Sequence, residues 1–328
     1  MATKEYIIDG AHIELLNEFV EYKRSLGYGY PYQTMEQIRR FSRFLANYPL
    51  ENTILTKNLI DEYCEPKMNE AVSTRNKRLS LSRQFSLFLR TKGIDCYVPP
   101  EQQEKKSTDF VPYIISKEQM KDIISCADRQ PFFPHTRTTK AVYSMLLRLL
   151  WCCGLRLSEA LNLQLDDVDI NSGILTIRRA KYNQIRLIPI SVTLHDYIRS
   201  YWDKMSFPHK DHDAFFFPTH RGECYNRSSV LRHIQMIMLE AGVTKDGIRP
   251  PRVHDIRHSY AVWALKKMVD ENVDIYCVLP MLSIFMGHSD IISTEYYLRL
   301  TGYVYPDIAA QMEPVYAGVF PEVNDEAE

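Results

Sequence analysis

Five side chains in this sequence are of types that can bind a phosphate group and attack it. They are Arg156, His254, Arg257, His288 and Tyr297. The transition state of phosphoryl transfer spreads negative charge over the non-bridging oxygens, so a metal-free site needs fixed donors directed at them. Arginine supplies a two-pronged donor that keeps its charge, and histidine can donate or act as a base. A tyrosine hydroxyl could then attack and hold the phosphate in a covalent bond.

A general acid for the departing alkoxide would complete such a site, and Lys181 is the candidate. Two segments rich in β-branched residues, 174–179 and 185–190, flank the polar residues 182–184. This pattern predicts an antiparallel hairpin with Lys181 near its tip. The lysine ammonium could protonate the leaving oxygen there.

The two histidines of the segment 254–258 also allow a different chemistry. His254 and His258 are four residues apart, a spacing that suits a zinc pair on a helix, so a zinc hydrolase is the alternative from another class. The zinc metalloprotease pattern has glutamate after the first histidine, where this sequence has Asp255. Arg257 between the two ligands would also repel a dication. We therefore expect no metal here.

The elements that position these residues begin with a helical N-terminal part. Apolar residues repeat at helical spacing over residues 13–22, and a second helix is predicted after Pro31. Thr56 can cap a third helix, and Ser73 or Thr74 can cap a fourth. Short turns between them predict a small bundle.

The fourth helix is rich in basic residues and has no acidic residue over 73–92. Four of its side chains are candidate phosphate contacts: Arg75, Lys77, Arg78 and Arg83. A solvated helix face is the ordinary explanation for such charges. Such a face more often carries charges of both signs, because these form favourable i,i+4 pairs. Both explanations stay open, because DNA phosphates also attract a positively charged surface.

The second part of the chain has a mixed pattern. Ser116 can cap a helix, a long buried helix is predicted over 139–153, and further helices are predicted over 227–241, 254–268 and 278–286. Together with the hairpin, these predict helices around a small sheet. The whole chain is therefore predicted to be mainly α with a small antiparallel β-sheet.

Composition shifts predict where the domains end. The polar, proline-bearing stretch 97–112 reads as a linker between a helical domain over 1–96 and a second domain over 113–304. Residues 305–328 form an acidic tail that also contains apolar side chains. Those apolar side chains need burial against protein.

The net charge of the 328 residues is −1, from 40 basic and 41 acidic side chains. Six of the acidic residues lie in 305–328, which holds no Lys or Arg, so the rest carries 40 basic against 35 acidic side chains. This mild excess permits a nucleic-acid partner without requiring one. The seven cysteines show no metal-ligand spacing, and neither a signal peptide nor a membrane-crossing run is visible. The sequence thus predicts a cytoplasmic protein with no membrane contact.

Four ordered motifs resemble those of the tyrosine recombinases, the phage-integrase family. They are Gly-Leu-Arg-Leu-Ser-Glu at 154–159, His-Asp-Ile-Arg-His at 254–258, Met-Gly-His at 286–288 and Thr-Glu-Tyr-Tyr at 294–297. The segment 179–189 is similar to the family's hairpin, in which a lysine precedes an Arg-x-x-Pro strand. The resemblance implies that the second domain is the mixed α/β catalytic domain. The N-terminal bundle more loosely resembles the family's SAM-like core-binding domain, which contacts DNA.

The resemblance also implies the covalent step. Tyr297 would attack a DNA phosphodiester, form a 3′-phosphotyrosyl bond and release a 5′-hydroxyl. Lys181 would protonate the leaving oxygen, and His254 would manage the tyrosine proton. No metal or nucleotide cofactor is implied, because the covalent intermediate stores the energy for rejoining.

The remaining residues of the implied site act on the phosphate. Arg156, Arg257 and His288 would stabilise the transition state, and Glu159 would orient the first arginine from behind. Tyr296 precedes Tyr297 and has the same chemistry, but on a helix the two side chains point about 100° apart. The family spacing from the histidine favours Tyr297 as the nucleophile.

The partners implied are double-stranded DNA recombination sites and further copies of the chain. A homotetramer would form on DNA, with a monomer or weak oligomer when free, and the tail 305–328 would dock on a neighbouring protomer. The implied function is site-specific DNA recombination in integration or excision, inversion or transposition, as in a mobile element. A non-catalytic DNA-binding relative and a type IB topoisomerase are the alternatives on this fold.

Overall fold

The structure is a computed structural model that describes eleven parts of the chain. They are residues 8–30, 32–48, 55–68, 70–101, 111–130, 137–178, 185–205, 207, 213–271, 273–287 and 297. These fall into two compact units, one before residue 102 and one after residue 110. The predicted linker is described only at its two ends. The hairpin tip with Lys181, the residue His288 and the tail 305–328 lie outside the described residues.

The described residues of the first unit contain four helices. They are α1 (Ile13–Ser25), α2 (Tyr32–Leu45), α3 (Lys57–Tyr63) and α4 (Val72–Thr91). Their core is aromatic: Phe85 lies edge-on to Phe19 and Phe41, with ring centroids 5.5 and 5.9 Å apart. Thr56 caps α3 by accepting a bond from the Leu59 amide, as predicted. Helix α4 begins one residue before the predicted caps, and no side chain caps it.

The second unit contains seven α-helices in its described residues. They are α5 (Lys117–Arg129), α6 (Arg137–Cys153), α7 (Leu157–Leu161), α8 (Val192–Met205), α9 (Arg227–Glu240), α10 (Val253–Asp270) and α11 (Ile275–Met286). Helix α6 packs against α5, α8 and α10 and forms the centre of the core. Helix α8 is missing from the sequence prediction. It forms because Leu194, Ile198 and Tyr201 repeat at helical spacing and are all buried.

A three-stranded antiparallel sheet completes the second unit. Strand β1 (Val168–Asp169) pairs with β2 (Ile174–Arg178), which pairs with β3 (Ile185–Pro189). The β2–β3 register places Ile177 opposite Arg186. The predicted hairpin is therefore confirmed, as is the mainly helical fold with a small antiparallel sheet. No helix in the described parts of the chain combines the length and apolar content needed to span a bilayer.

Gly154 allows the end of α6 to approach α10 closely. Its φ is +57°, and a Cβ at this position would lie 2.4 Å from Cδ1 of Tyr260. Gly173, before β2, has a similar φ of +67° but only ordinary contacts, the nearest being Ile190 Cγ1 at 3.6 Å. The two glycines thus share the left-handed backbone and differ in the space around them.

We expect Gly154→Ala to destabilise the protein more than Gly173→Ala. Both variants incur about 1–3 kcal/mol of backbone strain. Only Gly154→Ala adds an overpacking penalty of about 1–3 kcal/mol, because the Tyr260 ring must move. Urea unfolding of both variants measures this difference. Equal losses for the two would show that the contact between α6 and α10 is not tight.

Candidate active site

The N-terminus of α7 positions Arg156. The Glu159 side chain accepts a bond from the Arg156 amide at 2.9 Å, which closes the first turn of the helix. The same carboxylate accepts from Arg156 Nη1 at 2.8 Å. The other arm of the guanidinium, Nη2, donates to the Gly287 carbonyl at 3.1 Å. About a third of this side chain is exposed, so its donors can reach an incoming group.

Helix α10 carries Arg257 into the interior of the second unit. Its side chain is 2% exposed. One nitrogen donates to the Gly154 carbonyl and the other to the Met286 carbonyl, both at 2.6 Å. Burial and the positive charge of Arg156 lower the pKa of Arg257 to about 10. The guanidinium therefore stays charged at neutral pH, and its orientation is set by two main-chain carbonyls.

The end of α11 brings the two arginines together. Met286 and Gly287 are adjacent, and their carbonyls accept from Arg257 and Arg156 respectively. Backbone carbonyls at a helix C-terminus lack partners within the helix and attract cations. His288 follows Gly287 directly in the sequence but lies outside the described residues.

Glu159 is the counter-charge of this cluster. Arg186 of β3 donates to both of its carboxylate oxygens, at 3.1 and 2.7 Å. Its carboxylate also lies 4.0 Å from Arg257 Nη1. Burial raises the pKa of Glu159, but bonds from Arg186 and Arg156 outweigh that effect and lower it to about 2. The carboxylate is thus ionised and touches three arginines.

Arg186 is a site residue that sequence reasoning missed. Its pairing with Glu159 is nearly buried, with both side chains about 10% exposed. The sequence of β3 contained a signal for it, because Arg186 and the buried Ile188 are two positions apart and therefore lie on the same face of the strand. An arginine on the inward face of a strand needs a buried acid, and Glu159 is that acid.

His254 stands at the start of α10. Burial, followed by the positive charges of Arg257, Arg252 and Arg156, lowers the pKa of His254 to about 4. The imidazole is therefore neutral at pH 7, with one nitrogen donating and the other accepting. It lines a cavity of about 380 Å³ together with Arg156, Arg227 and Arg252.

Tyr297 is buried in an apolar cluster of α10 and α11. It is 3% exposed and packs among side chains such as Val262, Leu279 and Met286. Its hydroxyl lies 3.2 Å from Nδ1 of His258. An ionised Tyr297 raises the pKa of Arg257, so the two groups are coupled by charge. The structure thus brings Arg156, His254, Arg257 and Tyr297 into one site.

The sequence profile of the phage integrase family matches residues 114–302. This chain belongs to the phage integrase family. The tyrosine recombinase XerA of Thermococcus kodakarensis is 29% identical over 231 residues, covering 69% of this chain and 72% of the relative.

Two solved structures have the fold of this family member. XerH recombinase bound to a palindromic difH substrate matches with a TM-score of 0.61 and 14% identity, covering 84% of this chain and 78% of that one. The Tn1549 transposon integrase in complex with transposon right end DNA matches with a TM-score of 0.60 and 15% identity. That match covers 92% of this chain and 99% of the other. The predicted resemblance is therefore confirmed.

The zinc alternative is not favoured in this integrase-family chain. The rings of His254 and His258 lie 4.8 Å apart and perpendicular to each other. Among the described residues no group of three or more His, Cys, Asp or Glu side chains could hold a metal ion. Asp255, between the histidines, pairs instead with Arg252 at 2.8 Å.

The basic residues of α4 differ in where the structure places them. Arg78 is 8% exposed; it pairs with Glu70 and donates to the Glu65 carbonyl at 2.9 Å. Because this guanidinium is buried and bonded to groups inside the first unit, its position argues against the phosphate contact predicted for Arg78. Lys77 is exposed, while Arg75 and Arg83 are half-buried.

The phosphate contacts of Arg75, Lys77 and Arg83 stay predictions. Arg75 also donates to the Cys64 carbonyl at 2.8 Å, and Arg83 to the Pro99 carbonyl at 2.5 Å. Some of the basic residues of α4 therefore bond to neighbouring loops and do not belong to a solvated face.

We expect Glu159→Gln to destabilise the protein by about 3 kcal/mol, because it leaves buried arginines without their counter-charge. The folded-state pKa of Glu159, about 2, lies below the ordinary 4.5. Its ionisation therefore stabilises the fold above pH 4.5, and this contribution is lost as the pH falls from 4.5 towards 2. The difference between wild type and variant should shrink over that range. Denaturant unfolding at several pH values measures it.

Asp246→Asn is the matched control for Glu159→Gln. The pKa of Asp246 is also lowered to about 2, by hydrogen bonds from the backbone and side chain of Arg249. This pair is at the surface, where solvent screens the interaction. A loss as large as that of Glu159→Gln would contradict the role of burial.

Proposed function

We propose how this site-specific DNA recombinase divides the cleavage of one strand among its own residues. The observation that carries the proposal is a buried tyrosine whose hydroxyl interacts with the charge of Arg257, while Arg156 and Arg257 are held at the end of α11 by adjacent carbonyls. Tyr297, Arg156 and Arg257 come from separate segments and meet only in the folded chain. Such a site suits attack on a phosphodiester, whose transition state carries negative charge.

In the proposed step the phenolic oxygen of Tyr297 attacks the scissile phosphorus. A 3′-phosphotyrosyl bond forms, and the bond from phosphorus to the 5′-oxygen breaks. Arg156 and Arg257 hold the non-bridging oxygens, with His288 as a further donor. Lys181 protonates the departing 5′-oxygen. Rejoining is the same reaction reversed, with a 5′-hydroxyl as the attacking group.

The rigid hold on the arginines supports this division of roles. Arg257 is fixed by two carbonyls and Arg156 by one carbonyl and Glu159. Donors that are already oriented and desolvated need little reorganisation when charge develops. The neutral imidazole of His254 can add a donor to the phosphate without adding a further positive charge to the site. No cofactor is needed, because the phosphotyrosyl bond conserves the energy of the phosphodiester.

The nucleophile is tested by comparing Tyr297→Phe with Tyr296→Phe. We expect Tyr297→Phe to abolish a covalent protein–DNA adduct on nicked duplex while DNA binding persists, because only the attacking oxygen is lost. Tyr296→Phe is the control and should keep the adduct. The duplex is chosen by footprinting on the genomic DNA that flanks the gene. An adduct that survives in Tyr297→Phe would overturn the assignment.

The partner is double-stranded DNA, and the assembly on it is proposed to be a tetramer. Location in the cytoplasm and a monomer or weak oligomer when free stay predictions. The tail 305–328 is proposed to dock on a neighbouring protomer through its apolar side chains. Two neighbouring elements of the second unit expose apolar side chains that could receive it: Met281 and Ile284 on α11, and Ile185 and Leu187 on β3.

Removing residues 305–328 tests this docking. We expect the truncated chain to bind a single half-site like wild type but to lose higher-order complexes on DNA, because the contact between protomers is removed. Gel shift on one-site and two-site duplexes separates these effects. A full-length chain with Glu322, Asp325 and Glu326 changed to their amides is the control and should still assemble. Normal assembly of the truncated chain on two-site DNA would contradict the proposed docking.

A further inference from the structure

His258 has no role in the division of labour described so far, yet it touches the reacting atom. It lies one helical turn after His254 on α10 and is half-buried. Its Nδ1 is 3.2 Å from the Tyr297 hydroxyl, and the two ring centroids are 5.5 Å apart. This contact joins residues 39 positions apart in the sequence. The motif 254–258 therefore supplies two histidines to the site.

The surroundings of Tyr297 make this contact chemically important. The tyrosine is 3% exposed, and its neighbours in the cluster are apolar. Bulk water therefore has little access to the hydroxyl, while the proton must leave when the oxygen attacks phosphorus. An imidazole nitrogen that carries no proton can accept a proton at hydrogen-bond distance, and Nδ1 of His258 stands at that distance. The nearby charge of Arg257 stabilises the negative charge that develops on the oxygen.

His254 faces a different part of the site. It lines the cavity with Arg156, Arg227 and Arg252, where an anion would meet three guanidinium groups. Its ring meets that of His258 at a right angle. The Tyr297 hydroxyl lies within hydrogen-bond distance of His258. The tyrosine-proton role that the resemblance implied for His254 thus has a second candidate one turn away.

We propose that His258 accepts the phenolic proton of Tyr297 during strand cleavage and returns it during rejoining. In cleavage, the O–H bond breaks and the proton moves to the Nδ1 lone pair, with the other ring proton on Nε2. The phenolic oxygen bonds to phosphorus, and the 5′-oxygen departs with the electron pair of its bond and is protonated by Lys181. Rejoining reverses each transfer, so no co-reactant is consumed. The inference rests on the proposed function of Tyr297.

The test separates the nucleophile side of the reaction from the leaving-group side. Single-turnover adduct formation is measured on two nicked duplexes, one natural and one with sulfur replacing the bridging 5′-oxygen. A thiolate leaves without protonation, so the sulfur substrate removes the need for a general acid. We expect His258→Leu and His258→Asn to slow adduct formation on both duplexes by about 100-fold, within the range typical of a lost general base.

Lys181→Ala is the matched comparison. We expect it to be slow on the natural duplex and close to wild type on the sulfur duplex, because its defect lies in the leaving group. His258→Asn keeps a polar group near the position of Nδ1 but cannot take a proton at neutral pH. A role in positioning alone would let the asparagine variant recover most of the rate. Half-site binding and unfolding midpoints show whether each variant is folded.

The outcomes test the role of His258 separately from the proposed function of Tyr297 on which it rests. Absence of an adduct with the wild-type chain would contradict the proposed function. A wild-type adduct with near-normal rates in both His258 variants would overturn the inference alone. Rescue of the His258 variants by sulfur, or recovery in His258→Asn, would also overturn it. Slow adduct formation on both duplexes, with rescue confined to Lys181→Ala, supports it.

Discussion

The burial of positive charge beside Glu159 is the interaction on which the catalytic unit depends. Arg156, Arg186 and Arg257 all approach this one carboxylate. Desolvated cations repel each other strongly, and a buried charge without a partner is costly. The carboxylate offsets part of that repulsion, and three main-chain carbonyls accept further hydrogen bonds from Arg156 and Arg257. The groups proposed to bind phosphate are therefore already held in position in the folded protein.

This arrangement links stability to function in a particular way. One carboxylate among three guanidinium groups leaves the cluster with excess positive charge. A DNA phosphate would add the missing negative charge at the exposed side of Arg156, so binding and neutralisation favour each other. Burial, together with the same excess of positive charge, lowers the pKa of His254. A site with an additional acidic side chain would be more stable without phosphate and would bind phosphate more weakly.

Much of the fold was predictable from local patterns. Apolar spacing located most helices, and side-chain caps at Thr56 and Ser116 formed as expected. The hairpin followed from β-branched segments around a polar centre. Helix α8 was missed although its spacing is regular. For Arg78, local pattern could not distinguish an exposed base from one turned inward to Glu70, because that choice depends on how α4 packs against α3 and the loop after it.

The sequence by itself determined which chemical groups the site contains, since residue types and motif order already named Arg156, His254, Arg257 and Tyr297. It also determined the elements that carry them, because helix and strand periodicity are local properties. Only the tertiary structure decided the partners: Arg186 on Glu159, and the carbonyls of Gly154, Met286 and Gly287 on the arginines. It also decided that His258 meets the Tyr297 hydroxyl. Such contacts join residues far apart in the chain, and their distances follow from how the helices pack.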